Sequence, residues 1–130
     1  MATIRKEVEI DAAPEAVWAA MRDIGALHIK LAPGFVTDCK LEGDSRIVTF
    51  GNGMVAREVI VDVDDAARRV AWSAKSERLS HHNASSQVFA SGNGTKVVWI
   101  ADLLPNEMKA PVAGMIDMGL AAMQKALGRK

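Results

Sequence analysis

The chain has 130 residues, 49% of them hydrophobic, and its 16 Lys and Arg balance 16 Asp and Glu to a formal net charge of zero. That length predicts one domain over residues 1–130, large enough to bury a real core and to keep a cavity inside it. With no positive excess and no basic run, binding to nucleic acid or to an anionic membrane has no electrostatic support.

Cys39 is the only cysteine, so an intrachain disulfide is excluded and a reducing, cytoplasmic setting is expected. Residues 1–10 alternate charged and apolar side chains instead of forming the apolar run of a signal peptide. No stretch approaches the ~20 apolar residues of a membrane span. Asn83-Ala84-Ser85 and Asn93-Gly94-Thr95 match the glycosylation pattern, but without secretion both read as turn and strand residues.

Ile4, Val8 and Ile10 alternate with Arg5, Glu7 and Glu9, which predicts a strand with one wet face. Lys6 shares the apolar side and must snorkel at the edge or find a partner. Asp11-Ala12-Ala13-Pro14-Glu15 starts a helix, with Pro14 suited to its first position, Glu15 to the positive end of its dipole, and Val17, Trp18 and Met21 to its buried side. A second short helix is expected over Ala26 to Leu31, ended by Ala32-Pro33-Gly34.

From Phe35 the period becomes two. Strands are expected over Phe35 to Glu42, Arg46 to Phe50, Met54 to Asp62, Arg69 to Lys75, Ser80 to Ser91 and Thr95 to Leu104. Asn52-Gly53 is the strongest hairpin signal, read as a turn whose two central residues both take positive φ. Short turns between consecutive strands imply an antiparallel meander.

The period then changes again. Met108, Val112, Met115, Ile116, Gly119, Leu120, Met123 and Leu127 recur at spacings of three and four, one stripe of a helix running from Asn106 to Leu127. Pro111 predicts a loose or bent opening turn. One long helix and one sheet must cover each other, which makes the chain an α+β protein.

The order strand, two short helices, six meandering strands and a long final helix resembles the START-like, or helix-grip, superfamily in its bacterial polyketide cyclase/dehydrase and lipid-transport branch. Ile10-Asp11-Ala12-Ala13-Pro14-Glu15-Ala16-Val17-Trp18, Arg57-Glu58 after the Asn52-Gly53 hairpin, and Asp64-Asp65-Ala66-Ala67-Arg68-Arg69-Val70-Ala71-Trp72 carry the likeness. Gly94-Thr95-Lys96-Val97-Val98-Trp99 and the ending from Gly119 to Leu127 extend it. The resemblance implies a curved seven-stranded antiparallel sheet gripping the last helix, with an apolar cavity between them. In that superfamily the cavity binds hydrophobic or amphipathic ligands, and some members cyclise, dehydrate or hydrolyse them. No single catalytic signature runs through the superfamily, so the fold alone transfers no activity.

Met108, Met115, Met118 and Met123 are four of the seven methionines, concentrated on the helix that is expected to face the sheet, and are read as cavity lining. They either line an open pocket, where unbranched thioethers adapt to several ligands, or fill a closed core. Trp72 with Val70 and Ala74, and Trp99 with Val97 and Ala101, share strand faces and are pocket walls or core on the same alternatives. Trp72, Trp99, Met108, Val112, Met115 and Met123 make the expected ligand-binding set. His82 joins it, sharing a face with Ala84, Ser86, Val88 and Ala90, whose small side chains leave room beside an imidazole able to move protons near neutrality. A solvated histidine at the loop edge is the plainer reading.

Arg57 and Glu58 point to opposite faces. Alternation with Val55 and Val59 turns Arg57 inward, to hold a ligand carboxylate; the resemblance turns Glu58 inward, as a base or an anchor for a hydroxyl. His82, Glu58 and Arg57 are therefore the catalytic candidates.

No cofactor or metal is called for: Gly51-Asn52-Gly53-Met54-Val55-Ala56 lies between strands instead of opening a helix, and His81-His82 lacks further ligands at zinc spacing. Cys39 reads as a small buried hydrophobe. Three functions remain: a protein, monomeric or homodimeric, whose partner is a hydrophobic small molecule; a cyclase, dehydratase or hydrolase using the same cavity; and a protein-interaction module with a closed core.

Overall fold

The computed structural model describes residues 1–128. Strand β1 (Ala2–Ile10) leads into helix α1 (Pro14–Arg22), with Pro14 in its first turn, and then a single π-helical turn, Leu27–Leu31. Six strands follow: β2 (Val36–Glu42), β3 (Ser45–Phe50), β4 (Val55–Asp64), β5 (Arg69–Lys75), β6 (His81–Ser91) and β7 (Gly94–Leu104). A short 3₁₀ turn, Asn106–Met108, opens onto helix α2 (Lys109–Leu127).

The seven strands form one antiparallel sheet in the order β1-β7-β6-β5-β4-β3-β2. Consecutive strands from β2 to β7 are neighbours, as short turns dictate, and β1 closes the far edge against β7. The pairing skips a residue between Val36 and Asp38 in β2, and again between Ile60 and Asp62 in β4. Such bulges bend a strand and curl its sheet. The second also resets the face, so that both Ile60 and Val63 pack against the core.

Helix α2 lies on the inner face with Val112, Ile116, Gly119, Leu120 and Met123 buried. Its opening turn is 3₁₀ and its regular part begins at Lys109, so Pro111 falls in the first α-helical turn, where a missing N–H leaves no bond unmade. Gly119 sets how closely helix and sheet approach: a Cβ there would sit 2.8 Å from Trp99 Cζ3 and 3.1 Å from Phe35 Cε2. Lys6, on the inner side of β1 opposite Trp99, finds its partner in Asp117 of α2 at 3.5 Å. Helix α1 is tied to the β4–β5 turn by Asp65, which accepts from Trp18 Nε1 at 3.0 Å and from Arg22 Nε at 2.8 Å.

Two expectations fail on local geometry. Met118 is 64% exposed, not turned to the sheet. It follows Ile116 by two residues, roughly 200° around a 3.6-residue helix, and so occupies the opposite side. The hairpin at Asn52-Gly53 is not a two-residue turn: Phe50 N–H donates to Met54 O, Gly53 N–H donates to Phe50 O, and only Gly53 takes positive φ (89°). Three residues, Gly51 to Gly53, make the loop, a type I turn closed by a left-handed glycine.

Candidate functional site

Between the inner face of the sheet and α2 the side chains leave a cavity of about 330 Å³, a size typical of small-molecule sites. Trp72, Trp99, His82, Met108, Val112, Met115 and Met123 all line it. Met21, Leu27 and Leu31 contribute from α1 and the π-helical turn. Asn52, Met54, Arg78 and Pro111 line the cavity and are also exposed, which places its mouth between the β3–β4 hairpin, the β5–β6 loop and the start of α2.

Strand alternation fixes the wall. In β5 and β7, Trp72 and Trp99 point inward and meet edge to face, ring centres 5.8 Å apart at 67°. The Trp99 indole N–H is buried and finds no acceptor among the described residues. Its environment is therefore electrostatically incomplete, an uncommon condition for a buried donor.

One charged pair stands in this apolar wall. Arg46 of β3 and Glu58 of β4 face each other across the strand pair, and Arg46 Nε donates to Glu58 Oε1 at 2.8 Å. Their side chains are only 4% and 10% exposed. Arg46 also donates from Nη1 to Ile24 O at 3.3 Å and lies over the Trp72 ring, 5.3 Å from its centre. A guanidinium so placed has its charge matched by a carboxylate, a carbonyl dipole and a ring face, as a buried cation requires.

Glu58 thus faces the cavity and Arg57 does not: Arg57 points outward and bonds Glu42 Oε1 through Nη2 at 2.6 Å. Alternation with Val55 and Val59 misled because the valines of β4 that precede its bulge lie on the outer side, and only Val63, beyond the bulge, packs against the core. Val55 is 59% and Val61 63% exposed, on a solvent face where β-branched residues serve the strand, not the core. Arg46 was not singled out from the sequence, yet it shares a face with Val48 and Phe50, and that alternation is the signal that places it inside.

Glu58 stands opposite Ala74 of β5, and the β5–β6 ladder runs as far as Ser73 opposite Asn83, the residue after His82. Strand β5 lies between Glu58 of β4 and His82 of β6. Both line the same cavity, with the small Ala74 lying in the wall as well. Burial, reinforced by the charge of neighbouring His81, pushes the His82 pKa below its ordinary 6.5. The imidazole is therefore neutral near pH 7.

This has a measurable consequence. The folded state resists protonating His82 while the unfolded state does not, so stability present above pH 6.5 is lost as pH falls through the lowered folded value. Arg46, Glu58 and Arg78 are the charged groups that line the cavity with it. Chemical denaturation between roughly pH 7.5 and 5.5 should show His82→Gln losing less stability than the parent; equal losses would show that the imidazole is not shielded.

Cys39 is 6% exposed, its thiol pushed up by burial and donating to Ile24 O at 3.5 Å, a small buried side chain. Among the described residues, no three His, Cys, Asp or Glu side chains gather as metal ligands, and no helix is long and apolar enough to cross a membrane.

A curved antiparallel sheet wrapped around one terminal helix, with a lined space between, defines a helix-grip domain. The chain belongs to the polyketide cyclase/dehydrase and lipid-transport family, whose model matches residues 1–129. No curated protein matches it in sequence. Among solved structures it is similar to the protein XoxI from Bacillus cereus, at 22% identity and a TM-score of 0.84, covering 98% of this chain and 96% of that one. It is similar also to a START superfamily protein from Mycobacterium smegmatis, at 15% identity, TM-score 0.72, and 97% and 94% coverage. A Thalictrum norcoclaurine synthase point mutant in complex with a transition-state analogue shares the fold, at 20% identity, TM-score 0.69, and 97% and 93% coverage.

Proposed function

We propose that this protein binds a hydrophobic or amphipathic small molecule, of polyketide, aromatic or lipid-like character, in the cavity between sheet and α2. The observation that carries this reading is the unfilled space of about 330 Å³ at the centre of the fold, with an apolar wall and one buried charged pair. Cores otherwise pack to the density of organic crystals, and a void of this size forfeits dispersion contacts on every side. The family description, polyketide cyclase/dehydrase and lipid transport, supports the same chemistry. A closed-core interaction module is disfavoured by that void.

A catalytic role is the second reading, favoured by the placement of Glu58 and His82 on one cavity wall. The complex of a norcoclaurine synthase point mutant with a transition-state analogue is a precedent for chemistry on this fold. It ranks below binding because Glu58 is already engaged by Arg46 at 2.8 Å.

The test fills the space. Met115→Trp or Met123→Trp should abolish the fluorescence gain and thermal stabilisation produced by the uncharged probe 1-aminoanthracene, while each variant keeps its circular dichroism and cooperative melting. Probe binding equal to that of the parent in folded variants would place the ligand elsewhere.

A further inference from the structure

We infer that the cavity selects ligands whose buried end is uncharged and both donates and accepts a hydrogen bond: a hydroxyl, phenol or primary amide, and neither a carboxylate nor an ammonium. The inference rests on the reading that the cavity holds a small molecule, and it assigns the Arg46–Glu58 pair as the group that reads the ligand's polar end.

Three observations converge. The pair is the one ion pair with both side chains buried among the described residues, and it lines the cavity. It spends only part of its hydrogen-bonding capacity: Nε goes to Glu58 Oε1 and Nη1 to Ile24 O, so Arg46 Nη2 and Glu58 Oε2 have no protein partner. Neither atom is among the fully buried unpaired ones, so each retains access to open space. One unengaged donor and one unengaged acceptor therefore belong to the same pair in an otherwise apolar wall.

The charge balance decides what fits between them. An anion drawn to Arg46 meets the Glu58 carboxylate, whose bonded oxygen is 2.8 Å from the guanidinium, and a cation drawn to Glu58 meets Arg46. In a low-dielectric cavity such like-charge contacts are severe. A hydroxyl accepts from Nη2 and donates to Oε2, leaving the pair neutral and satisfied. His82, also lining the cavity and kept neutral by burial, adds no net charge to attract an ion, and the third charged lining group, Arg78, is exposed at the mouth.

The experiment uses one apolar body with four ends: naphthalene, 2-naphthol, 2-naphthoate and 2-naphthylmethylammonium, titrated by calorimetry into the whole protein. 2-Naphthol should bind about tenfold more tightly than naphthalene, the equivalent of one well-formed hydrogen bond, with both ions weaker than naphthalene. Glu58→Gln keeps an acceptor for Arg46 Nε but removes the negative charge; in a variant with parental circular dichroism, 2-naphthoate should overtake 2-naphthol. If the parent prefers either ion, or binds naphthalene and 2-naphthol equally, this inference is overturned and the cavity reading stands. If none of the four binds, naphthalene included, both are overturned.

Discussion

Replacing Glu58 with Ala should lower the free energy of unfolding by about 3–5 kcal/mol, because it strands the Arg46 charge in an apolar wall. The intact pair contributes far less than that, since burying two ions offsets most of their attraction; the loss measures the uncompensated guanidinium. A domain of this kind has about 5–15 kcal/mol in all, so the variant stays foldable but melts much earlier. The double replacement Arg46→Met with Glu58→Leu should recover most of the stability, as apolar substitutes for buried pairs commonly do. Urea denaturation of the three proteins checks this. A Glu58→Ala loss under about 1 kcal/mol, the range of an exposed pair, would mean that water reaches Arg46 freely.

Trp99 should divide by substitution. Trp99→Ala removes the ring that meets Trp72 edge to face at 5.8 Å and packs against the bare backbone of Gly119, and should cost about 3–5 kcal/mol. Trp99→Phe keeps a ring in that place and deletes the buried N–H that finds no acceptor. An unsatisfied donor costs about 1–3 kcal/mol, so its removal offsets much of the lost area and should leave the variant within about 1 kcal/mol of the parent. Thermal and urea unfolding of both variants would reveal the asymmetry. A Phe loss as large as the Ala loss would show that the indole donor is satisfied in solution.

The meander and the terminal helix were legible because the hydrophobic period becomes two at Phe35 and changes to about 3.6 at the end of β7. Alternation also placed Trp72 and Trp99 on the inner wall, and helical spacing placed Met108, Met115 and Met123. What stayed hidden was polar. Arg46 carries a charge, and a charged residue in a strand is ordinarily turned to water; only its partner across the sheet, Glu58, makes an inward position tolerable, and cross-strand register is invisible in a one-dimensional reading. The same blindness left Arg57 and Glu58 unresolved, because the exposed valines of β4 imitate a buried face. Met118 was misplaced for a simpler reason: its residue type matched its neighbours on α2 and its angle did not.

The doorway has a kinetic meaning. Met54 and Met115 stand at or beside it with Pro111, and unbranched thioether side chains swing between rotamers in picoseconds to nanoseconds. Such a threshold does not hold a guest back. For the small-molecule binding proposed above, residence time is then expected to be governed by the grip of the interior itself, so that variants that tighten or loosen that grip register in the dissociation rate.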